Sequence, residues 1–220
     1  LVLAPSTPQE MLDLTYAAFD LAFEYRNPVV VVADGYLGQM TGRVELPREA
    51  IQPGLPDWAV WGDREHRRNL LASIYLSEND LEDHNTRLNR KYERMWRNEQ
   101  RADEVECEGA DWIIVACNTP ARMAKGAVHR LRAQGVRAGL LRPITLWPFP
   151  IDALAPHLAS AKGIVMVEAG PGQLEDELRL AVSHAGLALP PIHPVRHFGG
   201  VLPQPDEIVE TIVALEGGIQ

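Results

Sequence analysis

Few stretches of this chain carry groups whose types and spacing could do chemistry. In "VEAGPGQLEDEL", residues 167–178, Gly170 and Gly172 stand at a strand-to-helix turn, where free backbone amides could cradle a phosphate. Glu175, Asp176 and Glu177 already occupy the helix start and would repel an anion. A tight turn with carboxylates complementing the helix dipole is therefore the stronger expectation. His193 and His197 are spaced as two ligands on a helix would be, but their segment follows two prolines and reads as extended. The two rings then cannot easily meet one ion, and no metal is expected there. Cys107 and Cys117 form no C-x-x-C pair. A disulfide framework, an iron–sulfur cluster or a Cys₄ zinc site held by this chain alone is not expected.

"ADGYLGQM", Ala33–Met40, resembles the Gly-Asp-Gly start of a thiamine diphosphate magnesium motif, but its first glycine is Ala33 and no matching downstream asparagine follows. Asp34-Gly35 reads as a turn. Dinucleotide and P-loop glycine patterns and a G-x-S-x-G elbow are also missing, so the residues alone present no catalytic constellation.

The elements that would position such groups fall into three parts. The chain has 220 residues, 46% hydrophobic, and a formal net charge of −9. That charge disfavours nucleic acid and anionic membranes as partners. No apolar run approaches the roughly 20 residues of a membrane span, and no signal peptide is evident, so a cytoplasmic location is expected. Residues 5–25 read as a helix capped by Ser6 or Thr7, with Leu12, Tyr16, Phe19 and Phe23 as its core-facing stripe. "NPVVVVADG", residues 27–35, reads as a strand buried on both faces. This is one α-β unit whose sheet partners are expected upstream, as in the middle of a longer protein. A proline-rich connector follows, with a long charged helix over "NDLEDHNTRLNRKYERMWRNEQRADEVE". From Asp111 onward four β-α repeats predict a parallel or mixed sheet covered by helices. In such sheets functional groups gather beyond the carboxyl ends of the strands, where "LRPITLWPFP", residues 141–150, lies.

"LAPSTPQEMLDLTYAAFDLAFEYRNPVVVVADGYLGQM", then "HNTRLNRKYERM", then "LRPITLWPFP", resembles in that order the α-type subunit of the 2-oxoacid:ferredoxin oxidoreductases. "VEAGPGQLEDELRLAV" and "FGGVLPQPDEIVE" fit the same subunit, and "YRNPV…DG.LGQM" is most like its branched-chain, 2-oxoisovalerate type. The resemblance implies an α/β fold in three parts. Residues 1–46 would end a pyrimidine-binding domain of the thiamine diphosphate kind. Residues 47–108 would connect it to a transketolase C-terminal-like domain with a mostly parallel sheet at 109–220.

It also implies an activity, the coenzyme A-dependent oxidative decarboxylation of a 2-oxoacid to acyl-CoA, CO₂ and reduced ferredoxin. Thiamine diphosphate and Mg²⁺ would be shared with a β-type partner subunit. A γ-type subunit and a ferredoxin-like subunit carrying [4Fe–4S] clusters would complete the complex. The family's catalytic glutamate matches nothing in this sequence, so no catalytic residue is assigned and the chain alone is expected to be inactive. Gln39 and Met40 are candidates for proximity to the cofactor. Arg142 and Trp147 are candidate contacts to the other domain or to a subunit, with a locally packed turn equally open. Ala169-Gly170-Pro171 departs from the family's usual methionine and small polar residues, so branched-chain, aryl, pyruvate and 2-oxoglutarate activities all stay open. The alternative reading is a non-catalytic interaction or assembly module built on the transketolase C-terminal-like domain.

Overall fold

The computed structural model describes residues 1–47 and 54–218, so residues 48–53 of the proline-rich stretch lie outside the described residues. Val2–Leu3 forms a short strand, β1, and Pro8–Tyr25 the first helix, α1. The Thr7 hydroxyl accepts from the Glu10 amide at 3.1 Å, and Pro8 fills the first turn, where a missing N–H is harmless. The buried face of α1 is Ala18, Leu21 and Tyr25, with Leu14 beside them. The stripe expected from spacing is thus the wrong one, and Phe19 is 65% exposed. Two apolar stripes share this helix, and a tertiary contact selects between them: the Tyr25 hydroxyl donates to Glu99 at 2.6 Å.

Val30–Val31, β2, pairs parallel with β1. Val29 and Val31 pack inward while Val30 and Val32 are exposed, so the strand is buried on one face only. It is the outer strand of its sheet, and the described residues place no second layer over it. Asp34 then caps a short helix, α2 (Gly35–Gln39), where a turn was expected. The charged helix α3 is Glu78–Asn98, capped by Ser77, and does not continue through "RADEVE". Instead Ala102–Val105 is a strand, β3, because Glu99 turns inward to Tyr25 and the Arg101 amide donates to the Thr145 hydroxyl at 2.9 Å.

The expected repeats follow: β4 (Trp112–Val115), α4 (Asn118–Ala133), β5 (Ala138–Pro143), β6 (Thr145–Trp147), α5 (Ile151–Leu158), β7 (Gly163–Glu168), α6 (Gln173–His184), β8 (Ile192–Arg196) and α7 (Pro205–Gly217). One five-stranded sheet has the order β3-β5-β4-β7-β8, parallel except for β3. Ile114, Val165 and Leu140 pack under α4 and α7 on one face. On the other face, Ile113, Ile164 and Met166 pack under α5 and α6. This is the α/β fold expected, a thiamine-domain-like unit followed by a transketolase C-terminal-like domain with a mostly parallel sheet.

The "LRPITLWPFP" segment joins the two sheets. After β5 the chain crosses over and β6 pairs antiparallel with β1, completing a three-stranded sheet β2-β1-β6. Its tryptophan therefore faces the first unit.

A candidate cleft at the switch point of the sheet

From β4 the chain moves to β5 on one side of the sheet and later to β7 on the other, so the carboxyl ends of β4 and β7 diverge. Crevices at such switch points are the usual ligand sites of open α/β sheets. A cavity of 350 Å³ opens there, between Cys117 and Asn118 after β4, Glu168 and Ala169 at the end of β7, and Val32 and Asp34 of the first unit.

Several polar groups around it are already engaged, and Gln173 and Glu177 complete its lining from the exposed side of α6. Asn118 is buried in a left-handed conformation (φ 51°) that turns its amide toward the first unit. Its Nδ2 donates to the carbonyls of Pro5 and Val32, both at 2.9 Å. Asp34 accepts from the Leu37 amide at 2.8 Å, from the Thr119 amide at 2.8 Å and from the Thr119 hydroxyl at 2.9 Å. Cys117, at the N-cap of α4, makes no capping bond of its own. Asp34 therefore caps α4 as well as α2.

Glu168 does the same for α6. Gly172 precedes this helix at φ 118° and has no side chain to cap it. A Cβ at Gly172 would also lie 2.7 Å from Arg196 Nη2. The Glu168 carboxylate, 6% exposed, accepts from the Leu174 amide at 2.9 Å and more weakly from the Glu175 amide at 3.4 Å. Burial pushes its carboxyl above the ordinary value, against the pull of those amides and of Arg196. Arg196 is paired with Glu175 and lies 3.8 Å from Glu168, though its buried Nε finds no hydrogen-bond partner. The Cys117 thiol is pushed up to about 12, first by burial and then by the charges of Glu168 and Asp34. A thiol held so high is a poor nucleophile at neutral pH. The cleft thus contains docked helix ends and a neutral thiol, with the exposed Glu177 carboxylate at its lining.

The sequence-selected residues take different places. Gln39 ends α2 and lines a second hollow with Tyr36, Ala169 and Leu202. Met40, the next residue, turns its sulfur to Arg122 Nη1 at 3.1 Å. Arg142 is buried on β5 and donates to both Glu10 oxygens, at 2.7 and 3.2 Å, across to α1. Trp147 lies opposite Val2 and meets Tyr92 edge-on at 6.0 Å. His193 and His197 part company, His193 against the Trp112 ring and His197 on Glu207 at 2.9 Å. Asn118, Thr119 and Glu168 were missed by motif reading; the rule that ligands gather at the strand ends was the one signal pointing to them.

Two family descriptions match the chain in tandem. Residues 1–106 match "Pyruvate flavodoxin/ferredoxin oxidoreductase, thiamine diP-bdg", and residues 110–208 match "Pyruvate:ferredoxin oxidoreductase core domain II". The chain belongs to the 2-oxoacid:ferredoxin oxidoreductases, as an α-type subunit. It is 41% identical over 219 residues to the ketoisovalerate oxidoreductase subunit VorB of Methanothermobacter thermautotrophicus, covering 99% of this chain and 60% of that protein. It is 28% identical over 243 residues to the 2-oxoglutarate synthase subunit KorA of Methanothermobacter marburgensis, covering 98% of this chain and 64% of that one. The chain thus spans less than two thirds of the length of these relatives. A 2-oxoglutarate:ferredoxin oxidoreductase from Magnetococcus marinus shares the fold, with a TM-score of 0.73 at 22% identity over 97% of this chain and 41% of that one.

Oxidoreductases of this family use thiamine diphosphate with Mg²⁺ and iron–sulfur clusters. The described residues do not fit the diphosphate–Mg²⁺ end of that cofactor. The Thr119 amide of α4 and the Leu174 and Glu175 amides of α6 are taken by Asp34 and Glu168, and each oxygen of Asp34 accepts from a protein donor. Among the described residues, no helix is long and apolar enough to cross a membrane.

Proposed function

We propose that this chain works in a cytoplasmic complex that oxidatively decarboxylates a branched-chain 2-oxoacid, 2-oxoisovalerate or a close analogue. Coenzyme A would take the acyl group and ferredoxin the electrons. The single observation that supports the branched-chain assignment is the gap between 41% identity to a ketoisovalerate oxidoreductase subunit and 28% to a 2-oxoglutarate synthase subunit.

In this reading residues 1–46 contribute to the thiamine domain, 47–108 connect, and 109–220 form the second domain. A β-type subunit holds the diphosphate and Mg²⁺, in keeping with the capped helix ends of this chain. The γ-type and ferredoxin-like subunits complete the assembly, the latter with the [4Fe–4S] clusters. Thiamine diphosphate would supply the carbanion-stabilising chemistry. The residues of this chain would do no proton transfer. Gln39 would border the cofactor cleft beside Tyr36, and Met40 would steady the loop through Arg122. Arg142 and Trp147 would keep the two domains of the chain in register.

The test is coenzyme A-dependent viologen dye reduction by the complex, purified through a tag on this subunit, across a panel of 2-oxoacids. Highest kcat/KM with 2-oxoisovalerate is the expected result. Preference for 2-oxoglutarate or pyruvate would reassign the substrate. A complex that contains thiamine diphosphate and iron but oxidises no 2-oxoacid would leave the assembly-module reading instead.

A further inference from the structure

A second group of chemistry-bearing side chains lies at the other edge of the five-stranded sheet, near where β4 begins. Glu104 on β3, Cys107 just beyond it and His157 in the last turn of α5 each place a ligand atom within 4.8 Å of the other two. His157 Nε2 is 2.7 Å from Glu104 Oε2.

The backbone goes out of its way to bring them together. Side chains alternate along β3: Ala102 packs on the α5–α6 side of the sheet, Asp103 turns to Arg142, and Val105 packs on the α4–α7 side. Continued alternation would send Cys107 to the side of Val105. Glu106 breaks it by adopting a left-handed conformation, φ 56°, that residues other than glycine rarely take. Cys107 then falls on the same side as Ala102, facing α5.

Two neighbours hold this loop in place. Arg132 Nη2 donates to the Glu106 carbonyl at 2.5 Å. Gly139 on β5 leaves the room: a Cβ there would sit 2.6 Å from Glu106 O and 2.7 Å from Cys107 Cα. A strained residue fixed from both sides calls for a reason, and what the strain achieves is a thiol beside a carboxylate and an imidazole.

We propose that Glu104, Cys107 and His157 bind a divalent ion of the zinc type. One sulfur, one nitrogen and one oxygen are the donor set that such an ion accepts, whereas Mg²⁺ and Ca²⁺ would not select the thiol. The fourth position opens to solvent beside the exposed Glu104. Burial holds the Cys107 thiol up to about 12, so the metal-free side chain is the neutral thiol. Binding breaks the S–H bond, forms the S–metal bond and releases one proton to solvent, with no change of oxidation state. The ion would tie the antiparallel edge strand to α5, reinforcing the Glu104–His157 contact.

The experiment titrates the full-length subunit with Zn²⁺ against a competing chelator, and with Co²⁺ as an optical probe. One Zn²⁺ per chain and a thiolate-to-cobalt charge-transfer band are expected. Cys107→Ser should abolish the band while Cys117→Ser keeps it. His157→Ala and the surface change Glu104→Gln should each weaken Zn²⁺ binding by roughly 100-fold or more, since loss of even an outer partner of a ligand costs 10–100-fold. A wild-type chain with no thiolate band, or Zn²⁺ affinity unchanged by Glu104→Gln and His157→Ala in folded protein, would overturn the site.

Discussion

One carboxylate, that of Asp34, caps two helices from distant parts of the chain, accepting the Leu37 amide on one oxygen and the Thr119 amide on the other. With Asn118 bonded to the Pro5 and Val32 carbonyls, it fastens the first unit to the start of α4. Cap loss typically costs about 0.5–2 kcal/mol per helix, so Asp34→Ala, which uncaps two helices, is expected to cost about 1–4 kcal/mol. Asp34→Asn should cost less, because one oxygen remains. Urea unfolding measures the loss, and hydrogen exchange should report faster exchange at the Thr119 and Leu37 amides together.

Arg142 and Glu10 make the buried bridge between β5 and α1. Burial would raise the Glu10 carboxyl, but the amide and hydroxyl of Ser6, and then Arg142, hold it below the usual value. A depressed folded pKa gives stability that is complete above the ordinary carboxylate range and is lost as pH falls through the lowered value. Arg142→Met should destabilise by about 3 kcal/mol, toward the low end for a broken buried pair because Glu10 keeps part of its surface in water. It should also start the acid loss at a higher pH, which unfolding midpoints taken across an acid pH series would show.

Tyr25 and Glu99 set which face of α1 is buried. The Tyr25 hydroxyl is pushed up to about 12, first by burial and then by its bond to Glu99. The stability it lends is therefore present below the ordinary tyrosine value and lost as pH rises through about 12. Tyr25→Phe leaves Glu99 without that donor, with Arg101 as its remaining partner, and should cost about 1–3 kcal/mol in chemical unfolding.

Cys117 sits in the cleft as a neutral thiol. It should alkylate with maleimide far more slowly in the native chain than in urea. Fast labelling of the native chain at neutral pH would mean that the cleft holds an activated nucleophile.

Much of the fold could be read from the chain because its signals are local. The repeats from Asp111 onward, the Thr7 cap and the end of α4 at Gly135 (φ 82°) each depend on neighbouring residues. The failures share one cause, a partner far away in sequence. Phe19 and Leu21 carry similar periodicity, and Glu99, reaching Tyr25 from the end of α3, decides which is buried. "ADEV" follows a strong helix former run, yet pairs with β5 because the chain returns there many residues later. Motif reading of the cleft saw the acidic start of α6 but not its cap, Glu168, which lies before the glycines. The cluster at Glu104, Cys107 and His157 depends on a left-handed Glu106 that no spacing rule reveals.

The most direct test of the account is calorimetric titration of thiamine diphosphate with Mg²⁺, first into this chain alone and then into the chain assembled with the proposed β-type subunit. With the amides of α4 and α6 capped from within, the account predicts no measurable binding to the chain alone and tight binding to the assembly. Tight binding to the chain alone would contradict it, because this chain would then supply a diphosphate site that its capped helices exclude.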